Sequence, residues 1–162
     1  MGTHSVRVIG TNKPVELPQS ARLLDALLRL RMPILMACGG KGLCATCHVY
    51  VESGTESLSS PTPREQSSLR MLANRKSCSR LSCQAKVNGP DVVISVPEGR
   101  YFESSKDIEI LIGRRTEVDI LHPVTGALLI AAGMLISRSR ISQLAQVTID
   151  IDELRARSES IQ

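Results

Sequence analysis

The sequence predicts an α+β fold: a domain of strands and two helices over residues 1 to 100, followed by a small β-rich extension over residues 101 to 162. Three observations carry that expectation. Runs of Val and Ile alternate with polar residues near both ends of the first hundred positions, as half-buried strands do. A leucine stripe at helical spacing lies between them. A second helix is announced by its cap.

Taken in order, Ser5 to Ile9 and Val15 to Leu17 read as strands joined through the polar turn Thr11 to Lys13, so the chain opens as a β-hairpin. Ser20 is placed as the N-cap of a helix from Ala21 to Leu30, where Leu23, Leu24, Leu27, Leu28 and Leu30 form a wide apolar face. Pro33 stops that helix. Ile34 to Ala37 is then an apolar approach to a glycine-rich loop. His48 to Glu52 reads as a strand. Thr62, Pro63 and Glu65 read as N-cap, first-turn proline and capping-box acid for a helix from Pro63 to Ala73. Ala85 to Val87, the Asn88-Gly89 turn and Val92 to Val96 read as a second hairpin. Pro97-Glu98-Gly99 closes the domain.

Beyond it, Tyr101 and Phe102 read as the start of a linker, and Ile108, Ile110 and Ile112 alternate like an edge strand. Glu117 to Leu121 and Leu128 to Ile130 flank a turn at His122 to Gly126. Ser137 caps a short helix from Arg138 to Leu144, and Val147 to Ile151 reads as a last strand. With this little core the extension is expected to pack on the first domain, to self-associate, or to hold a partner.

Composition narrows the function classes. Aromatic residues are 2% of the chain and Trp is absent, so the core is built from Leu, Ile, Val and Met. The thirteen-residue apolar run Val124 to Ile136 is too short to span a bilayer, and Met1 to Gly10 has no signal-peptide core. Residues 1 to 100 hold 13 Lys and Arg against 7 Asp and Glu, and the rest hold 7 against 9. That basic first domain lacks stacking aromatics and recognition motifs, which argues against nucleic acid. There is no nucleophile with its base and no phosphate loop, so an enzyme is not expected.

The chemistry-bearing stretch is C-G-G-K-G-L-C-A-T-C, Cys38 to Cys47. Cys38, Cys44 and Cys47 are separated by five and two residues, and Cys83 can supply a distant fourth thiolate. A [2Fe–2S] cluster needs four converging thiolates, and a spacing of C-x4-C-x2-C with a distant Cys is one known solution; the first gap here is one residue longer. Gly39, Gly40 and Gly42 suit a loop whose amides approach sulfur at positive φ. A zinc site would use a second C-x2-C hook, which the chain lacks. Five cysteines in a chain of this length do not suggest a disulfide framework. Cys78 could stand in for Cys83 on spacing alone.

The run C-G-G-K-G-L-C-A-T-C-H-V, with R-L-S-C-Q at Arg80 to Gln84, resembles the [2Fe–2S] ferredoxins of the adrenodoxin branch over about residues 3 to 100. The resemblance implies a β-grasp ferredoxin domain, a [2Fe–2S] cluster on Cys38, Cys44, Cys47 and Cys83, and one-electron transport between a reductase and an acceptor. It leaves Cys78 as a free thiol. Ile34, Leu35, Met36 and Leu43 are then expected to wall the cluster, and His48 to hydrogen-bond nearby backbone rather than ligate iron. Family members carry an acidic docking helix where this chain has Arg64, Arg70, Arg75 and Lys76, so partners with acidic docking faces are expected. The alternative is a redox-sensing or structural subunit whose extension governs a partner complex or self-association. Thiols kept reduced for a cluster point to the cytoplasm.

Overall fold

A computed structural model describes residues 2–161, so Met1 and Gln162, the outer ends of the two expected domains, lie outside the described residues. The elements are β1 (Thr3–Val8), β2 (Val15–Pro18), α1 (Leu23–Arg29), β3 (His48–Ser53), α2 (Pro63–Arg70), β4 (Ser79–Leu81), β5 (Val92–Ser95), β6 (Arg100–Tyr101), α3 (Ser105–Glu109), β7 (Ile120–Leu121), β8 (Leu128–Ile130), α4 (Arg138–Gln143) and α5 (Ala145–Glu159). They form an α+β structure with a five-stranded sheet, order β2-β1-β5-β3-β4, and a three-stranded sheet, order β6-β7-β8.

The first hairpin forms as expected, with Thr3 opposite Pro18 and Val6 opposite Val15. The second does not. Instead of folding back on residues 85–87, β5 runs parallel to β1 and antiparallel to β3, filling the centre of the sheet. Val92 and Ile94, at 1% and 0% exposure, explain why: both are needed in the core under α1. Residues 86 and 87 bridge to Arg22 and Leu58 instead. The first helix also starts later than Ser20, because Ser20 adopts φ +66° and Arg22 takes the cap, its backbone N–H donating to Asp25.

The cap of α2 is as read: Glu65 N–H donates to Thr62 Oγ1 at 3.2 Å, and Pro63 opens the helix. The Glu65 side chain, however, does not turn back to the cap. It is fully buried and accepts from Arg80 Nε at 2.8 Å, Arg80 Nη2 at 3.2 Å and Leu81 N–H at 2.9 Å. An acid at the third helical position can serve either role, and a buried arginine opposite decides the matter. This clamp ties β4 to α2 and so aims the chain at Cys83.

Three expectations for the later segment are corrected. Tyr101 and Phe102 are not linker: Tyr101 lies in β6, and Phe102 is 2% exposed in the core of the extension. Residues 105–109 are helical, with Ile108 inward and Ile110 77% exposed, so the isoleucine alternation does not mark a strand. Val147 to Ile151 belongs to α5. Val147, Ile151 and Leu154 are buried at offsets of four and three while Ile149 is half exposed, which is a helical face. Ser137 does cap α4, accepting from Arg140 N–H at 3.3 Å.

Candidate metal centre

Residues 38–47, which follow α1 after eight intervening residues, wrap a loop whose shape depends on glycine. Gly39, Gly40 and Gly42 have φ of +65°, +78° and +74°, a region that side chains with a Cβ avoid. The turn brings the amides of Lys41, Gly42 and Leu43 onto the sulfur of Cys38. Ser68 of α2 holds the loop from one side, its hydroxyl donating to Gly42 C=O at 2.5 Å. Gln84 Nε2 donates to Gly40 C=O at 3.2 Å and reaches Cys83 Sγ at 3.5 Å.

The loop and the clamped β4 bring Cys38, Cys44, Cys47 and Cys83 together as two buried pairs. Cys44 and Cys38 sulfurs lie 3.3 Å apart, as do those of Cys47 and Cys83. Both separations far exceed the roughly 2.05 Å of a disulfide. They lie nearer the roughly 3.8 Å set by two metal–sulfur bonds of about 2.3 Å at a tetrahedral angle. Among the described residues no three Cys, His, Asp or Glu side chains surround one point. Two pairs of thiols supply the four-thiolate set that a [2Fe–2S] cluster takes. Cys78 is half-buried and belongs to neither pair.

Charge is shared unequally within each pair. The hydrogen bond from Cys44, helped by the loop amides against the opposing effect of burial, pulls Cys38 down to about 5, while the same bond and burial push Cys44 far up. The hydrogen bond from Cys47, with help from Gln84, brings Cys83 down to about 7, and Cys47 rises. Two thiolates this close repel, so full deprotonation of the set needs bound cations. The four sulfurs fit a [2Fe–2S] cluster on that ground.

Second-layer residues differ in part from those read in the sequence. Leu43 is buried against Cys38 and Cys44, but Met36 is 45% exposed and does not wall the site. Leu154 of α5, at 1% exposure, takes that place. His48 is buried, and burial, with Lys76 near by, lowers it to about 4, so it is neutral. Its Nε2 pairs with Ser79 Oγ at 2.7 Å, a side chain rather than backbone, and its ring meets Tyr50 edge-on at 4.8 Å.

The extension packs on the first domain, one of the three expected arrangements, but none of the individual contacts is foreseen from the sequence. Ala45 N–H donates to Pro123 C=O at 2.9 Å and Ala73 N–H to Thr125 C=O at 2.8 Å. Lys41 Nζ donates to Ile161 C=O. His122 Nδ1 accepts from Val124 N–H at 3.0 Å, which leaves its Nε2 to donate to Asp150 at 2.9 Å and pin α5 to the turn. Tyr101 packs against the buried cluster that holds Cys47 and Cys83. Burial keeps its phenol protonated. Contacts of this kind pair distant segments and leave no local pattern to read.

Paired buried thiols on a glycine loop, carried by a mixed sheet, define an iron–sulfur electron-transfer protein. The chain belongs to the 2Fe-2S iron-sulfur cluster binding domain family, which it matches over residues 6–88. It is 38% identical over 93 residues to 2Fe-2S ferredoxin-5 of Aquifex aeolicus, covering 57% of this chain and 97% of that one. Rhodocoxin of Rhodococcus erythropolis is 36% identical over 94 residues, 55% of this chain and 88% of its own. Among solved structures, the ISC-like [2Fe-2S] ferredoxin of Pseudomonas putida superposes with a TM-score of 0.53 at 28% identity, over 58% of this chain and 92% of that one. The chain is a [2Fe–2S] protein of the ferredoxin, electron-carrier class. Among the described residues no helix is long and apolar enough to cross a membrane.

Proposed function

We propose that this protein carries electrons singly from a reductase to a redox acceptor, its cluster held by Cys38, Cys44, Cys47 and Cys83. The supporting observation is the two buried sulfur pairs, each 3.3 Å apart, at the foot of one amide-lined loop. When bound, the cluster supplies reversible one-electron exchange. The chain supplies the rest. Amides of Lys41, Gly42 and Leu43 set positive dipole ends against Cys38, which favours the more negative, reduced state. Leu43 and Leu154 keep water from the Cys38–Cys44 side.

In this reading residues 1–100 form the ferredoxin-type domain and residues 101–162 an extension docked on it, and the reduced thiols suit the cytoplasm. The test is purification without air followed by metal analysis and redox titration. Two irons and two sulfides per chain, with a one-electron couple that a flavin reductase can drive, support the proposal. Colourless or zinc-bound protein overturns it.

The partners we propose carry acidic docking faces. Arg64, Arg70, Arg75 and Lys76 are all exposed around α2, and α2 itself touches the loop through Ser68 and through Arg64, whose Nη1 donates to Lys41 C=O at 3.4 Å. Exposed charge attraction is screened over about 10 Å at 0.1 M salt and over a few ångströms near 1 M. Turnover with the physiological reductase is therefore expected to fall several-fold between about 0.1 and 0.5 M salt. A rate indifferent to salt would remove the basic face from the account.

A further inference from the structure

Among the described residues three buried polar side-chain atoms lack a hydrogen-bond partner, His48 Nδ1, Asn74 Oδ1 and the Tyr101 hydroxyl, and the last belongs to the extension. The hydroxyl of Tyr101 is buried and finds no hydrogen-bond partner among the described residues. Tyr101 is not there by slack in the chain. In β6 it stands opposite Leu121 of β7, with Arg100 N–H donating to Asp119 C=O at 2.8 Å and Phe102 N–H to Leu121 C=O at 2.9 Å. Gly99, at φ +120°, sets the entry, and a Cβ there would sit 3.0 Å from Asp119 C=O.

Strand alternation then sends Phe102 into the core of the extension and Tyr101 the other way, against the buried cluster that includes Cys47 and Cys83. A ring alone would fill that place as phenylalanine. The hydroxyl adds a cost unless an acceptor lies in reach, and a phenol is a donor suited to sulfur or any anionic acceptor. No cysteine sulfur lies in hydrogen-bond reach of that hydroxyl, so the acceptor it awaits is the anionic group that the paired cysteines would hold.

We propose that the Tyr101 O–H donates a hydrogen bond to the sulfur-rich centre on its Cys47–Cys83 side, so that a residue of the extension tunes the potential of the loop. The inference rests on the four cysteines being the cluster ligands. The reduced centre carries one more negative charge than the oxidised one. A donor aimed at it stabilises reduction and raises the potential.

Tyr101→Phe keeps the ring and removes only the donor. The variant is expected to bind the same iron and sulfide as wild type and to show a more negative midpoint. At a fixed ambient potential its reduced-to-oxidised ratio falls roughly threefold to tenfold, tenfold being 59 mV for one electron. The Fe–S stretching bands of wild type should also shift in D2O, and lose part of that sensitivity in the variant, which mere repacking would not cause. A second measurement avoids deleting the group: in a Tyr50→Phe background, fluorotyrosine at position 101 strengthens the donor and should raise the reduced fraction. Iron-loaded proteins whose midpoint moves in neither experiment overturn this proposal alone. Wild-type protein without iron overturns the ligand reading beneath it as well.

Discussion

Serine in place of Cys38, Cys44, Cys47 or Cys83, one at a time, abolishes or grossly perturbs the visible absorption of the cluster. Each change removes one soft ligand of four, and the remaining cysteine, Cys78, lies outside both sulfur pairs. Cys78→Ser should keep the full absorption and the iron content of wild type. Absorption spectra and iron assays on all five variants check this. A colourless Cys78→Ser beside a coloured Cys83→Ser would exchange the two residues' roles.

The second large effect is on stability. Glu65→Ala leaves Arg80 buried with its charge unpaired and Leu81 N–H without its acceptor. Both side chains are nearly inaccessible, at 0% and 8% exposure, so solvent does not rescue them. Breaking such a pair from one side costs about 3–5 kcal/mol, against a total stability of about 5–15 kcal/mol for a typical domain. For a chain of this length that corresponds to a melting temperature lower by roughly 10 °C or more. Glu65→Ala combined with Arg80→Met removes both charges and should recover much of the loss. Thermal denaturation of the four proteins in the cycle measures it. A single Glu65→Ala that melts within a degree or two of wild type would mean the clamp is not what fixes β4.

How much of this was open to sequence reasoning follows from the range over which each feature is encoded. The leucine face of α1 at Leu23, Leu24 and Leu27 and the Thr62-Pro63 start of α2 are local, and both read correctly because the few residues involved carry the whole signal, whereas Leu28, counted in that face, is 42% exposed. Val147 to Ile151 misled because apolar residues at 147, 149 and 151 satisfy a period of two, while the face that is buried runs 147, 151, 154. Only the neighbouring core shows which period applies. Ile108 to Ile112 failed for the same reason. The placement of β5 between β1 and β3, and the turn from Pro123 to Thr125 that bonds Ala45 and Ala73, pair segments separated by tens of residues. Nothing in either segment names its mate. The role of Glu65 was half legible, since its position at the helix start is written locally and its buried partner is not.

The packing of Leu154 has a consequence for traffic. With that side chain laid over Cys38 and Cys44, and α2 stitched to Gly42, the outward stretch of the loop narrows to Gly39, Gly40 and Lys41. If charge enters and leaves through that small window, two visitors cannot occupy it together. Such a shuttle must let go of its donor before it greets its acceptor, and its pace is then governed by how quickly each handshake ends.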